Sequence, residues 1–113
     1  MNYLKRFNEP SGKSLKDVYL KYPELTKICK EYGITNYTIN PDGTVDVSGN
    51  VNLQDRGLTK LPIKFGRVSG NFSCSDNQLT SLDGSPTTVG GHFYCSNNLL
   101  TSLEGGPKEV GGA

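Results

Sequence analysis

The stretch Val68-Ser69-Gly70-Asn71-Phe72-Ser73-Cys74-Ser75-Asp76-Asn77-Gln78-Leu79-Thr80-Ser81-Leu82 returns 21 residues later as Val89-Gly90-Gly91-His92-Phe93-Tyr94-Cys95-Ser96-Asn97-Asn98-Leu99-Leu100-Thr101-Ser102-Leu103. The shared pattern is V-x-G-x-F-x-C-x-x-N-x-L-T-x-L. A looser copy precedes it, with Val47, Gly49, Val51, Leu53, Leu58, Thr59 and Leu61 at the same offsets, and a fourth begins at Val110 and Gly112. A fixed period of this length predicts a solenoid, because one such unit cannot bury its apolar side alone and stacks on its neighbours. Phe72-Ser73-Cys74 and Phe93-Tyr94-Cys95 alternate apolar and outward residues, as a strand does, and stacked copies place such strands parallel, about 4.8 Å apart. Asn77 and Asn98 recur at one position, where buried amides would bond the backbones of successive turns. Gly90-Gly91 and Gly105-Gly106 permit tight reversals.

Working outward towards the N-terminus, Asn40-Pro41-Asp42-Gly43 separates the β-prone runs Tyr37–Ile39 and Thr44–Val47. Proline presets one turn angle and glycine accepts a positive one, so a hairpin is expected over 37–47. Before it lie two helix signals. Ser14 and Asp17 form a capping box ahead of Leu15, Val18, Tyr19 and Tyr22 at helical spacing. Pro23 suits the first turn of a second helix, which runs to Tyr32 and buries Leu25, Ile28, Cys29 and Tyr32. Gly33 fits the left-handed position that ends it. The expected α+β fold has two short N-terminal helices (1–36) and a β-hairpin (37–47) capping a three-coil parallel solenoid (47–113), all in one compact domain.

The repeat resembles the leucine-rich repeat, whose core is L-x-L-x-x-N-x-L-x-x-L. The match covers 47–113. The first copy departs from it: Arg56 stands at the position of Asn77 and Asn98, and Ile63 and Phe65 replace Gly84 and Pro86. That copy is expected to be a transition whose extra apolar groups fill space beneath the cap. The variety with V-G-G-x-F-x-C-x-N-N-x-L-T-S-L-E-G coils is similar to short proteins of phages and prophages of Bacteroidota-like bacteria, as is the opening Met1–Glu9. That resemblance implies an origin and a fold, and no single activity. Leucine-rich repeat proteins commonly bind partners on the strand face. With Phe93 and Cys95 inward, that face presents His92, Tyr94 and Ser96, below them Asn71, Ser73 and Ser75, and below those Asn50, Asn52 and Gln54. Asp55, Asp76 and Asn97 run beside this grid. Single polar residues on a surface also simply face water. Tyr94 and His92 depart most from the small residues of the other copies and are the expected contacts.

Net charge is +1 across 113 residues, which excludes a strongly acidic nucleic-acid mimic and a strongly basic wrapper. The charge is uneven. Residues 1–33 hold seven Lys and Arg against four Asp and Glu, a net of +3, and residues 34–113 hold five against seven, a net of −2. Lys5, Arg6, Lys13, Lys16, Lys27 and Lys30 could therefore touch the phosphates of RNA, although helix lysines are more often a solvated face. No apolar run is long enough to cross a membrane, and no secretory leader is visible. Three cysteines without a secretion signal favour a reducing cytoplasm.

Catalytic signals are absent. His92 is the only histidine and builds no triad. Cys74 and Cys95 share one inward position but lack further metal ligands. Cys29 lies on an apolar helix face. Asp83 and Glu104 repeat one surface position and form no acid–base pair. No phosphate-binding loop or cofactor motif is present. The expected function is therefore that of a non-enzymatic, phage-type binding protein in the bacterial host cytoplasm. Its partner is a host protein or ribonucleoprotein. The sharpest analogy is an anti-defence, anti-CRISPR-like inhibitor of an RNA-guided nuclease. Two alternatives stay open: RNA contact through the lysine-rich helices, and a self-assembling virion or structural protein that uses the last copy, in which Phe93, Leu100 and Leu103 form an apolar end without a polar cap.

Overall fold

The computed structural model describes residues 22–112. The expected helix over 14–22 (apart from its last residue), its capping box, and Lys5, Arg6, Lys13 and Lys16 lie outside the described residues. Helix α1 (Pro23–Glu31) begins at proline, where the missing amide hydrogen would have had no partner, and its N-cap residue, Tyr22, makes no side-chain cap bond. Leu25 and Cys29 are buried, with Ile28 and Tyr32 packed half-buried on the same core. Tyr32 closes the helix one residue earlier than the spacing predicts. Gly33 takes φ +70° and lets the Ile34 amide donate to the Cys29 carbonyl at 2.8 Å.

Eight short strands follow: β1 (Tyr37–Ile39), β2 (Val45–Val47), β3 (Val51–Asn52), β4 (Phe65–Val68), β5 (Phe72–Ser73), β6 (Thr88–Val89), β7 (Phe93–Tyr94) and β8 (Glu109–Val110). They form a five-stranded mixed sheet in the order β1-β2-β4-β6-β8 and a three-stranded parallel sheet, β3-β5-β7. The Asn40–Gly43 turn forms as expected. Gly43 adopts φ +90° and donates to the Asn40 carbonyl at 2.9 Å.

This architecture corrects the expected one. Two helices and a hairpin capping a three-coil leucine-rich-repeat-like solenoid are not what the described residues build. Among the described residues there is one helix, and the strands belong to two sheets, one of them mixed. The reason lies in the valine–glycine corners. The sequence reading assigns one strand to each copy, at Phe-x-Cys, places reversals at Gly90-Gly91 and Gly105-Gly106, and gives no strand to Val68, Val89 or Val110. Those valines lie in strands as well. Val68 pairs in parallel with Val47 and Val89, and Val89 with Val110. The hairpin is consequently no separate cap. Its second strand pairs antiparallel with β1 on one side and parallel with β4 on the other, and so belongs to the same sheet. Backbone groups left unpaired at a buried valine would carry a large cost, and the sheet removes it.

Between the two sheets lies one core. The valines of the mixed sheet (Val45, Val47, Val68, Val89) and the inward residues of the parallel sheet (Val51, Leu53, Phe72, Cys74) are buried, with Leu58, Leu61, Leu79 and Leu82 closing the space. Equivalent residues meet across the parallel sheet. Val51 pairs with Phe72, and Phe72 with Phe93. The Phe72 and Phe93 rings stack at 5.7 Å and 9°, while Phe65 meets Phe72 edge-on at 5.1 Å. Phe65 and Ile63 are buried in the same core.

Arg56, in the asparagine position, turns outward instead. Its guanidinium lies 5.5 Å from the Tyr32 ring, a cation–π contact that ties the helix end to the first copy. Arg56→Ala should cost about 0.5–1 kcal/mol, as expected of an exposed pair of this kind, and chemical denaturation would read it.

Candidate functional site

The outward face of β3-β5-β7 carries a shallow groove of about 420 Å³. Eight of the nine expected contact residues line it: Asn50, Asn52 and Gln54 from the first copy, Asn71, Ser73 and Ser75 from the second, Tyr94 and Ser96 from the third. Val51 and Asp76 complete the lining. His92 is not among the lining residues. Its ring tilts against Tyr94, with centroids 5.8 Å apart, and packs on Gly112, where a methyl group would strike the imidazole.

The grid is not a row of idle polar groups. The Asn50 side-chain carbonyl accepts the Asn71 amide hydrogen at 2.8 Å, and the Asn71 carbonyl accepts that of His92 at 2.8 Å. Each of these bonds crosses from one copy to the next. They also explain two glycines. At Gly70 and Gly91 a Cβ would collide with Asn50 Oδ1 and Asn71 Oδ1 respectively, so the asparagine reaches the neighbouring backbone only where no side chain stands in its way. Within the first copy, Asn52 Oδ1 accepts the Gln54 amide at 3.0 Å. Ser75 lines the groove as expected but is not exposed. It is buried at 6% exposure, and its hydroxyl takes the Ser96 amide and bonds the Ser96 hydroxyl, each at 3.2 Å. It is floor, not rim.

Asp76 is the one charged residue of the lining. Its two oxygens accept Gln54 Nε2 at 3.0 Å and Asn97 Nδ2 at 2.7 Å, so the carboxylate bridges all three copies. Asp55, Asp76 and Asn97 share a left-handed backbone, at φ +57°, +58° and +55°. Asp and Asn tolerate that conformation better than other side-chain-bearing residues. The repeated position was legible in the sequence; its conformation was not.

Beneath the groove, Asn77 is almost wholly buried. Its Oδ1 accepts the amides of Arg56 and Leu58, both at 3.0 Å, and its Nδ2 donates to the carbonyls of Leu53 (2.8 Å), Cys74 (3.0 Å) and Ser75 (3.2 Å). Asn98 does the same one copy on, with Leu79, Cys74, Cys95 and Ser96.

A second groove, of about 400 Å³, lies on the mixed sheet. Asn36, Thr38, Asp46, Arg67, Ser69 and Thr88 line it. The sequence reading missed it, because it assigned strands to 37–39 and 44–47 but none to the segments of Arg67 and Thr88 that lie beside them. The signal was the alternation Val45-Asp46-Val47, which puts Asp46 outward. Asp46 Oδ1 accepts the Arg67 amide at 2.9 Å.

No protein-family model, characterised protein or solved structure matches this chain. The site is therefore read from its own chemistry.

All three cysteines are free thiols. Burial pushes the Cys29 and Cys95 thiols up, and burial with the neighbouring Cys95 pushes Cys74 up to about 12. A thiol held neutral is a poor nucleophile. The folded protein should leave Cys74 unmodified by a thiol reagent at pH 8, as following its labelling would show. The same shift predicts a pH effect. The folded value lies above the ordinary 9.0, so the contribution of Cys74 is complete below pH 9 and is lost as pH rises towards 12. The stability gap between the wild type and Cys74→Ala should narrow over that window, by at most about 1.4 kcal/mol per pH unit. Urea midpoints at pH 8 and pH 10.5 would measure it.

Of the expected basic contacts, Lys27 and Lys30 are exposed on α1, beside Glu24 and Glu31. The helix charges therefore balance. Among the described residues no cluster of His, Cys, Asp and Glu could hold a metal ion, and no helix is long and apolar enough to cross a membrane. Leu99 and Leu103 of the third copy are 62% and 69% exposed, and Tyr94 is 46% exposed.

Proposed function

We propose that this chain is a non-enzymatic binding protein and that the β3-β5-β7 face is its contact surface. One observation carries the reading: seven serine or amide side chains and one exposed tyrosine line a single groove, held in place by bonds that cross from copy to copy. A surface built of Asn, Ser and Tyr combines adaptable hydrogen bonding with a rigid aromatic anchor, the composition that antibody binding loops use. The partner implied by the phage-type resemblance is a host protein or ribonucleoprotein in the bacterial cytoplasm, in its sharpest form an RNA-guided nuclease. The lining carries no cation, so a ribonucleoprotein would be met here through its protein and not its phosphates. Free thiols accord with a reducing compartment.

Tyr94→Ala combined with His92→Ala should weaken partner capture about tenfold or more, as loss of an aromatic hot spot does, with the unfolding midpoint little changed. Capture by the double variant at wild-type strength would move the contact surface elsewhere.

A second reading has its own observation. Leu99 and Leu103 leave large apolar side chains exposed on the third copy. Self-association through this copy is the form in which such surface is removed from water. Sedimentation at high concentration should show an assembly that Leu99→Asp with Leu103→Asp dissolves. A monomer at all concentrations ends that reading.

A further inference from the structure

We infer that the strand-face groove takes a neutral saccharide chain. The inference rests on the proposal that this face is the contact surface, and narrows the ligand to one chemistry. Its basis is what the lining side chains have left to offer. Asn50, Asn52 and Asn71 each spend the amide carbonyl on a backbone hydrogen. Among the described residues their NH₂ groups have no partner, and each holds two donors whose direction the tied carbonyl sets. Acceptors stand among them. Gln54 spends its amide nitrogen on Asp76 and keeps its carbonyl free, and Asp76 retains lone pairs beyond its two amide partners. Ser73 presents a hydroxyl that can do either. A ligand that satisfies interleaved donors and acceptors must itself give and accept at closely spaced points. A chain of sugar hydroxyls does so.

Three further features select among polar ligands. Tyr94 is 46% exposed and offers an aromatic face against which the apolar C–H side of a sugar ring can lie. No lysine, arginine or histidine lines the groove, and its one charge is negative, so phosphates, sulfates and uronates have nothing to pair with. Val51 is the one aliphatic residue of the lining and is 2% exposed, so Tyr94 is the side chain that offers a ligand a broad apolar face. Spacing fits as well. Asn52, Ser73 and Tyr94 are equivalent residues on adjacent parallel strands, about 4.8 Å apart, close to the length of one hexose unit. A chain lying across the strands therefore meets one copy per sugar.

The full chain, labelled with ¹⁵N, would be titrated with neutral tetrasaccharides of glucose, mannose and N-acetylglucosamine, and in parallel with a sulfated tetrasaccharide and a short single-stranded RNA. The expected result is a saturable shift, with at least one neutral sugar, of the side-chain NH₂ signals of Asn50, Asn52 and Asn71. Tyr94→Ala should weaken that binding about tenfold, and Asn52→Ala by a similar factor, with the thermal midpoint preserved. Tighter binding of the RNA or the sulfated sugar at these residues overturns the inference. No shift with any neutral sugar overturns it too. If Tyr94→Ala with His92→Ala then still releases a captured host protein, the strand face survives as a contact surface. If it does not, both readings fall together.

Discussion

Phe72→Ala is expected to destabilise the protein by about 4–5 kcal/mol, the upper part of the range for deleting a fully buried aromatic ring. Phe72 has no exposed surface and no side from which the structure can collapse cheaply. The Phe93 ring stacks on it at 5.7 Å, and the edge of Phe65 meets it at 5.1 Å. Loss of the ring removes both aromatic contacts, each worth about 0.5–1.5 kcal/mol beyond the area buried. It also leaves a cavity between the two sheets. Phe93→Ala should cost less, about 1–2 kcal/mol, because Phe93 is only half-buried and already borders water. Urea unfolding of the two variants side by side measures the difference. Equal losses would mean that the copies do not share one core. A domain of this size is expected to hold about 6–17 kcal/mol in total, so Phe72→Ala alone removes a large share of it.

Asn77→Ala is expected to cost about 3–5 kcal/mol, through a different term. The side chain makes five hydrogen bonds to backbone groups of two copies. Alanine strands the Leu58 amide and the Leu53 carbonyl in buried surroundings, and each orphaned group costs about 1–3 kcal/mol. The Arg56 amide lies nearer solvent and recovers part of its loss from water. Asn77→Asp should be no better, since the carboxylate cannot donate to three carbonyls and would be a buried charge. Asn98→Ala is the internal control. Its bonds are part-buried or exposed, and its loss should stay near 1–2 kcal/mol. A loss below about 1 kcal/mol for Asn77→Ala would show that water enters and replaces the amide.

Much of the groove was legible before any coordinates. The alternation Asn50-Val51-Asn52-Leu53-Gln54, repeated 21 residues on, puts the apolar members inward and the polar members on one face. Eight of nine expected contacts accordingly line one groove. Two details escaped, for one reason. Alternation gives the side on which a residue lies, not what its atoms touch in the neighbouring copy. Ser75 lies on the expected side yet is buried, because Ser96 covers it. His92 lies on the expected side yet outside the groove, because its ring turns onto Gly112.

The overall architecture was read less well. Strands of two residues are too short for hydrophobic period to announce them. A valine followed by glycine reads equally as a turn, and only the parallel partner on each side makes Val68 and Val89 members of a sheet. The amino-acid order alone determined which positions are equivalent, because a 21-residue repeat sets the register of Val51, Phe72 and Phe93 whatever the path between them. Only the tertiary structure decided that each copy enters two sheets, that the hairpin joins one of them, and that the asparagine carbonyls point back into the backbone. Those outcomes depend on hydrogen bonds between residues some twenty positions apart, and no local propensity encodes where such a bond will close.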